Sequence, residues 1–179
     1  MLFRSALIEE SDCLLVVGCK LGEIATKRFA LIPDGVPLIH LEVVAEELGR
    51  TTPSTVPMWA DVREGVTDLG EALADQAEAA RASRQAWTAR VAERMAAWHE
   101  DVRGRLESDE VPVNMARMMN EINERMPADG YLVADGGFAA HWGGLLFNTK
   151  QPGRSFVPDR GFASIGYGLP GTKIGRAHV

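Results

Sequence analysis

Two glycine-bearing stretches in the last third of the chain hold the residues best suited to chemistry. One is Asp135-Gly136-Gly137, which follows the apolar run from Tyr131 to Ala134 and opens a helical pattern from Phe138 to Phe147. Glycines placed where a strand ends and a helix begins expose first-turn amides with no partner inside the helix, and the helix dipole adds positive potential there. Such a corner suits an anion, as at diphosphate sites. The same residues describe equally well a capped turn, with Asp135 as the cap. The other stretch is Arg160 to Gly171, RGFASIGYGLPG, in which Gly161, Gly166, Gly168 and Gly171 alternate with Phe162, Ile165, Tyr167 and Leu169. Bare backbone between apolar wedges lets main chain touch a ligand. In isolation it reads as a tight packing turn between two elements.

The remaining candidates carry less. Gly18-Cys-Lys-Leu-Gly22 closes an apolar run but lacks the complete G-x-G-x-x-G fingerprint and a clearly placed acidic partner, so nucleotide binding there is weakly supported. His40 has no second His, Cys or carboxylate at metal-ligand spacing and reads as a core or rim histidine. Cys13 and Cys19 bracket a predicted strand, about 20 Å apart if extended, too far to bridge. They are expected to be reduced thiols in the core.

Composition bounds the class. The chain has 179 residues, is 46% hydrophobic and 25% charged, and carries 19 Lys and Arg against 25 Asp and Glu, a net charge of −6. With no concentrated basic stripe, a nucleic-acid surface is not expected. The apolar run from Cys13 to Cys19 is too short to cross a bilayer, and MLFRSALI lacks the length and cleavage site of a secretory signal. A cytoplasmic protein acting on small molecules or contacting other proteins is the expectation.

These candidates need a scaffold, and the hydrophobic pattern supplies one. Leu14 to Val17 predicts a strand buried on both faces, Glu23 to Leu31 a helix, Pro33-Asp34-Gly35 a turn, and Pro37 to Glu42 a second strand, which together make a βαβ unit. Val56 to Ala60 suggests a third strand. Asp61 and Glu64 have capping-box spacing, and Val62, Val66, Leu69 and Leu73 share a helical face, predicting a helix from Val62 to Ala79. From Ala80 to Glu107, Trp87, Val91, Met95, Trp98, Val102 and Leu106 recur at helical steps. That stripe suits packing between domains better than a partner interface, and it leaves His99 on the solvated side. A boundary follows at Ser108 to Val111. Pro112 then suits the first turn of a new helix, on which Met115, Met118, Met119, Ile122 and Met126 form an apolar face read as core filler.

From roughly Leu7 to Thr172 the sequence resembles the thiamine diphosphate-dependent 2-oxo acid enzymes of the acetolactate synthase and benzoylformate decarboxylase group. CLLVVGCKLGE, PLIHLEVVAEELGR and the Ala-Asp before Val62 resemble the second half of that family's central domain. YLVADGG with Trp142, then GRSFVPDRGFASIGYGLPG, resemble the start of its diphosphate-binding domain. The resemblance implies an α/β fold: a partial Rossmann-like parallel sheet in residues 1–80, a linker helix in 81–110, and the first part of a second parallel α/β domain in 111–173. It also implies thiamine diphosphate with Mg²⁺ as cofactors, a 2-oxo acid substrate, and a homodimeric or homotetrameric parent. The implied cofactor-binding positions are Gly137, Phe138, Ala139, Ala163, Ser164 and Ile165. Ile165 stands where the family places a bulky residue that holds the cofactor bent, which makes removal of the thiazolium C2 proton intramolecular. Ala163 stands where a backbone carbonyl accepts from the exocyclic amine.

Departures from the pattern also inform. Phe138 and Ala139 replace a Gln and a His that reach the diphosphate in acetolactate synthases, leaving backbone amides to serve, and His141 is not assigned as a ligand. His40-Leu-Glu42 replaces the usual Asp-x-Asp, which counts against FAD. The activating glutamate and the metal ligands of the family fall outside the segment, so no catalytic or metal residue is assigned within it. The chain is expected to be an interior stretch of a longer product, without turnover alone. Residues 174–179, IGRAHV, match a translated sequencing adapter, so His178 is given no functional weight. The alternative is a non-catalytic α/β nucleotide-binding or interaction module.

Overall fold

The computed structural model describes residues 3–161 and 164–176. The chain is mixed α/β and divides into two compact units, Met1–Trp98 and His99–Val179.

The first unit is built on a three-stranded parallel sheet in the order β1 (Leu14–Val17), β2 (Leu38–Glu42), β3 (Val56–Trp59). Leu14 pairs with Leu38, and Ile39 with Val56. The central strand is the one covered on both faces: Leu38, His40, Leu41 and Glu42 are all buried. β1 was expected to be so, but as the outer partner of β2 it leaves Leu15 50% exposed. Pro57 lies in β3, opposite His40. A residue without an amide proton is tolerated on an outer strand, where one side of the ladder is open.

The predicted helix from Glu23 to Leu31 does not form. Residues 23–30 make successive turns, with Lys27, Arg28 and Phe29 at φ 51°, 58° and 66°. The cause lies in Thr26, whose buried hydroxyl donates to the Gly22 carbonyl at 2.9 Å and accepts from the Phe29 amide at 3.1 Å. A side chain that takes a backbone amide offers the chain an alternative to the helical ladder. Cys13 and Cys19 are exposed, not in the core: β1 is an outer strand, and each cysteine lies just beyond its ends.

The helix α2 (Val62–Ala72) starts as predicted, with the Asp61 carboxylate accepting from Arg63 N at 2.8 Å and Glu64 N at 3.4 Å. Asp61→Ala is expected to lower unit stability by ~1 kcal/mol in chemical denaturation, the usual cost of a lost N-cap. α2 ends seven residues earlier than expected, at Ala72 instead of Ala79, followed by a 3-10 turn (Ala74–Gln76) and α3 (Ala77–Ser83). Val62, Val66 and Leu73 are largely exposed, so the face that should have sustained the helix is only thinly packed, and helical length depends mainly on such packing. The buried residue of α2 is Gly65.

α4 (Gln85–Leu106) carries the tryptophan stripe and begins after a break at Arg84, so the expected helix from Ala80 is two helices. Its first half is fixed to the segment after α1 (Phe3–Glu9) by Arg90 and Arg94, both paired with Glu10. The stripe is graded, from a partly exposed Trp87 to a buried Val102. His99 is exposed, as expected.

In the second unit α5 (Met115–Arg125) is capped by Asn114, whose side chain accepts from Ala116 N at 3.0 Å. Pro112 therefore precedes the helix instead of opening it, because the asparagine cap two residues later satisfies the first-turn amide. Of the methionine face, Met119 is buried and Met115 and Met118 are partly exposed. β4 (Leu132–Ala134) and β5 (Phe156–Pro158) pair in parallel, Leu132 opposite Phe156 and Ala134 opposite Pro158. α6 (Phe138–Leu146) connects them, and α7 (Gly168–Arg176) follows β5. Asn123 of α5 ties down the end of α6, donating to the Leu146 carbonyl at 2.7 Å and accepting from Asn148 N at 2.9 Å. No described helix is long and apolar enough to cross a membrane.

Candidate functional site

β4 and β5 are parallel neighbours, so the segments that leave their carboxyl ends emerge at the same edge of the sheet. This is the edge at which open parallel sheets bind ligands. The segment after β4 is Asp135-Gly136-Gly137, and the segment after β5 leads into Arg160 to Gly171. The two glycine-bearing stretches are thus brought to one place by a two-strand pairing.

Gly137 is the N-cap residue of α6, at φ 71° and ψ −140°, and among the described residues no side chain caps the helix. The capped-turn reading, with Asp135 as the cap, is therefore incorrect for α6. The first-turn amides of that helix are left for an external acceptor. A Cβ on Gly137 would meet nothing within 4 Å among the described residues, so the corner is open to that extent.

Asp135 is committed elsewhere. Its Oδ1 accepts from Gly136 N at 2.9 Å, Gly166 N at 2.8 Å and Tyr167 N at 3.0 Å, and its Oδ2 from Gly166 N at 2.9 Å. The amide of Gly166 first, then that of Gly136, holds the Asp135 carboxyl below its ordinary range, with smaller help from Gly168 and Tyr167 against a desolvation that pushes it up. These amides stabilise the ionised form. Because the folded-state value is depressed, the stabilisation is present at neutral pH and is lost only as pH falls below the ordinary aspartate range and through the folded value.

Of the expected cofactor positions, Gly137, Phe138 and Ala139 lie at the start of α6, and Ser164 and Ile165 immediately precede the Gly166 anchor; all five are exposed. Phe138 is 81% and Ile165 86% exposed. Ala163 lies outside the described residues. The Arg160-to-Gly171 stretch is not a loop throughout, since α7 begins at Gly168, with Pro170 in its first turn, where a missing amide proton is tolerated.

Two residues that sequence reasoning passed over also meet here. Arg160 donates from Nη2 to His141 Nδ1 at 3.1 Å, and His141 lies on α6 with its ring 5.9 Å from that of Phe138. A guanidinium can only donate, so His141 carries its proton on Nε2. Arg160 opens the glycine-rich stretch, which was the available signal. A cavity of about 180 Å³ lies behind the corner, between Met115, Met118 and Met119 of α5, Asp135, and Ala139 and Trp142 of α6. It is small for a ligand site, in keeping with the methionines as core. Among the described residues no group of three His, Cys, Asp or Glu could hold a metal ion.

His40 is 1% exposed, and its Nε2 lies 2.9 Å from the Cys19 carbonyl, where it secures the turn after β1. The core reading of that histidine is correct.

The chain is similar to known proteins along most of its length. Residues 2–69 match the family described as "Thiamine pyrophosphate enzyme, central domain". Over 96% of its length the chain is 23% identical to a probable acetolactate synthase large subunit of Methanocaldococcus jannaschii, of which it covers 29%. Over 94% it is 28% identical to a probable 2-ketoarginine decarboxylase of Pseudomonas aeruginosa, again covering 29% of that protein. It is also 21% identical to an acetolactate synthase large subunit of Porphyra purpurea over 94% of the chain and 27% of that protein. The chain thus spans less than a third of the length of these relatives, and within it residues 2–69 are similar to the central domain of thiamine pyrophosphate enzymes.

Proposed function

We propose that this chain contributes part of the thiamine diphosphate site of an enzyme acting on 2-oxo acids by decarboxylation or carboligation. The observation that carries the reading is the uncapped α6 N-terminus, opened by Gly137, at the same sheet edge as the exposed, Asp135-anchored Ile165. The residues fit the cofactor. Open amides at a helix start suit a diphosphate, and an exposed branched apolar side chain suits the face of a ring. When bound, the cofactor supplies an electron sink for the pair released as CO₂ leaves.

This chain's residues do the binding and shaping. The Gly137 corner presents amides to the diphosphate. Phe138 and Ala139 bring no polar side chain to it, and Arg160, held by His141, places a positive charge on the α6 side of the edge. Ser164 and Ile165 belong to the ring side, with Ile165 as the wedge and Ala163 offering a carbonyl. Mg²⁺ accompanies thiamine diphosphate in this reading, and His40-Leu-Glu42 counts against FAD. The whole enzyme is read as a cytoplasmic homodimer or homotetramer that draws its activating acid and metal ligands from outside these residues. The chain alone is accordingly expected to show no turnover.

Calorimetric titration tests the reading. The wild-type chain is expected to bind thiamine diphosphate, and Ile165→Ala to weaken it by roughly tenfold, the loss from withdrawing part of a buried branched side chain. Binding of ADP or FAD with no response to thiamine diphosphate would instead indicate a nucleotide-binding module.

A further inference from the structure

The two helices that start at this sheet edge are treated differently. At α7 the amides of Gly166 and Tyr167, just ahead of the first helical residue, are filled by the carboxylate of Asp135, more than thirty residues earlier in the chain, at 2.8 to 3.0 Å. Gly168 is pressed against the same residue: a Cβ there would stand 3.2 Å from both Asp135 Cβ and Asp135 N. At α6 no side chain fills the corresponding place. One helix start is closed by the protein's own anion and the other is left for a ligand.

Ile165 directly precedes the anchored pair. At 86% exposed it has little packing among the described residues to fix its position, so the Asp135 bonds to the next two residues provide the constraint. We infer that Asp135 is a positioning residue for the ring side of the cofactor site: by holding Gly166 and Tyr167 it sets the place of Ile165, while on the diphosphate side it bonds only the Gly136 amide ahead of the corner and does not cap α6. The inference rests on the thiamine diphosphate reading above. It divides the site into two parts with separate supports.

The division can be read by titrating the full 179-residue chain with two probes, thiamine diphosphate and inorganic pyrophosphate. Asp135→Ala is expected to weaken thiamine diphosphate by about tenfold or more and to leave pyrophosphate binding no weaker than in wild type. In the Asp135→Ala background, Ile165→Ala should add little further loss, because a wedge already out of place has little left to lose. A purely structural role would weaken both probes together, and that result overturns the inference, as does full additivity of the two substitutions. Asp135→Asn keeps the shape and one acceptor oxygen and should fall between. Hydrogen exchange supplies a check that needs no variant: the Gly166 and Tyr167 amides of the wild-type chain should be protected, and rapid exchange at both overturns the proposal. If the wild-type chain binds neither probe, the cofactor reading falls and this inference with it. If it binds both and Asp135→Ala changes neither, this inference alone falls.

Discussion

Gly65→Val is expected to lower the stability of the first unit by about 1–3 kcal/mol, the range for overpacking a filled core. A Cβ at Gly65 would stand 2.7 and 3.0 Å from the two terminal carbons of Leu41 and 3.3 Å from the Ala60 Cβ. Leu41 is fully buried on the central strand. Even Gly65→Ala should destabilise, because the ~1 kcal/mol that alanine contributes to a helix interior is smaller than the cost of the clash. Gly70 supplies the control, since it lies in the same helix with nothing within 4 Å of its would-be Cβ. Gly70→Ala should leave the urea midpoint unchanged or raise it. Equal behaviour of the two substitutions would show that α2 does not pack on Leu41 as described.

Gly137→Val is expected to remove most binding of both pyrophosphate and thiamine diphosphate. The backbone at φ 71° and ψ −140° lies where a side chain, above all a branched one, is strained by roughly 1–3 kcal/mol. Space is not the issue, because nothing lies within 4 Å of a Cβ there. The strain would pull the residue out of its N-cap geometry and turn the α6 amides away from the opening. Converted to affinity, that is about tenfold to a hundredfold, measurable by calorimetry. The contrast with Asp135→Ala is informative: Gly137→Val should affect both ligands and Asp135→Ala only the one that carries rings. Undiminished pyrophosphate binding by Gly137→Val would place the anion elsewhere.

Much of the scaffold was legible in the residues. The strands at Leu14, Leu38, Val56 and Leu132, the Asp61 cap and the helix from Phe138 all rest on local signals, namely short apolar runs, a capping side chain and a glycine pair. The errors have a common origin. The helix expected from Glu23 has acceptable periodicity but is undone by one buried threonine hydroxyl. α2 was extended along an apolar face that is only thinly packed, and its tightest contact is made by a glycine that no hydrophobic pattern marks. β5 is only three residues long and includes a proline, so it becomes visible through its pairing with β4.

The sequence by itself determined that this is an α/β chain with glycine-rich corners suited to an anion and to close approach of backbone, and its motif order pointed to the thiamine-dependent enzymes. Those properties are local, carried by residue type and spacing. Only the tertiary structure decided what Asp135 does. From the sequence it was a possible cap for the helix that follows it. In the fold it reaches amides distant in the chain at the start of α7 and leaves α6 open. The choice between those partners is made by the parallel pairing of β4 with β5, which brings the two helix starts to one edge, and no spacing rule within the sequence encodes that meeting.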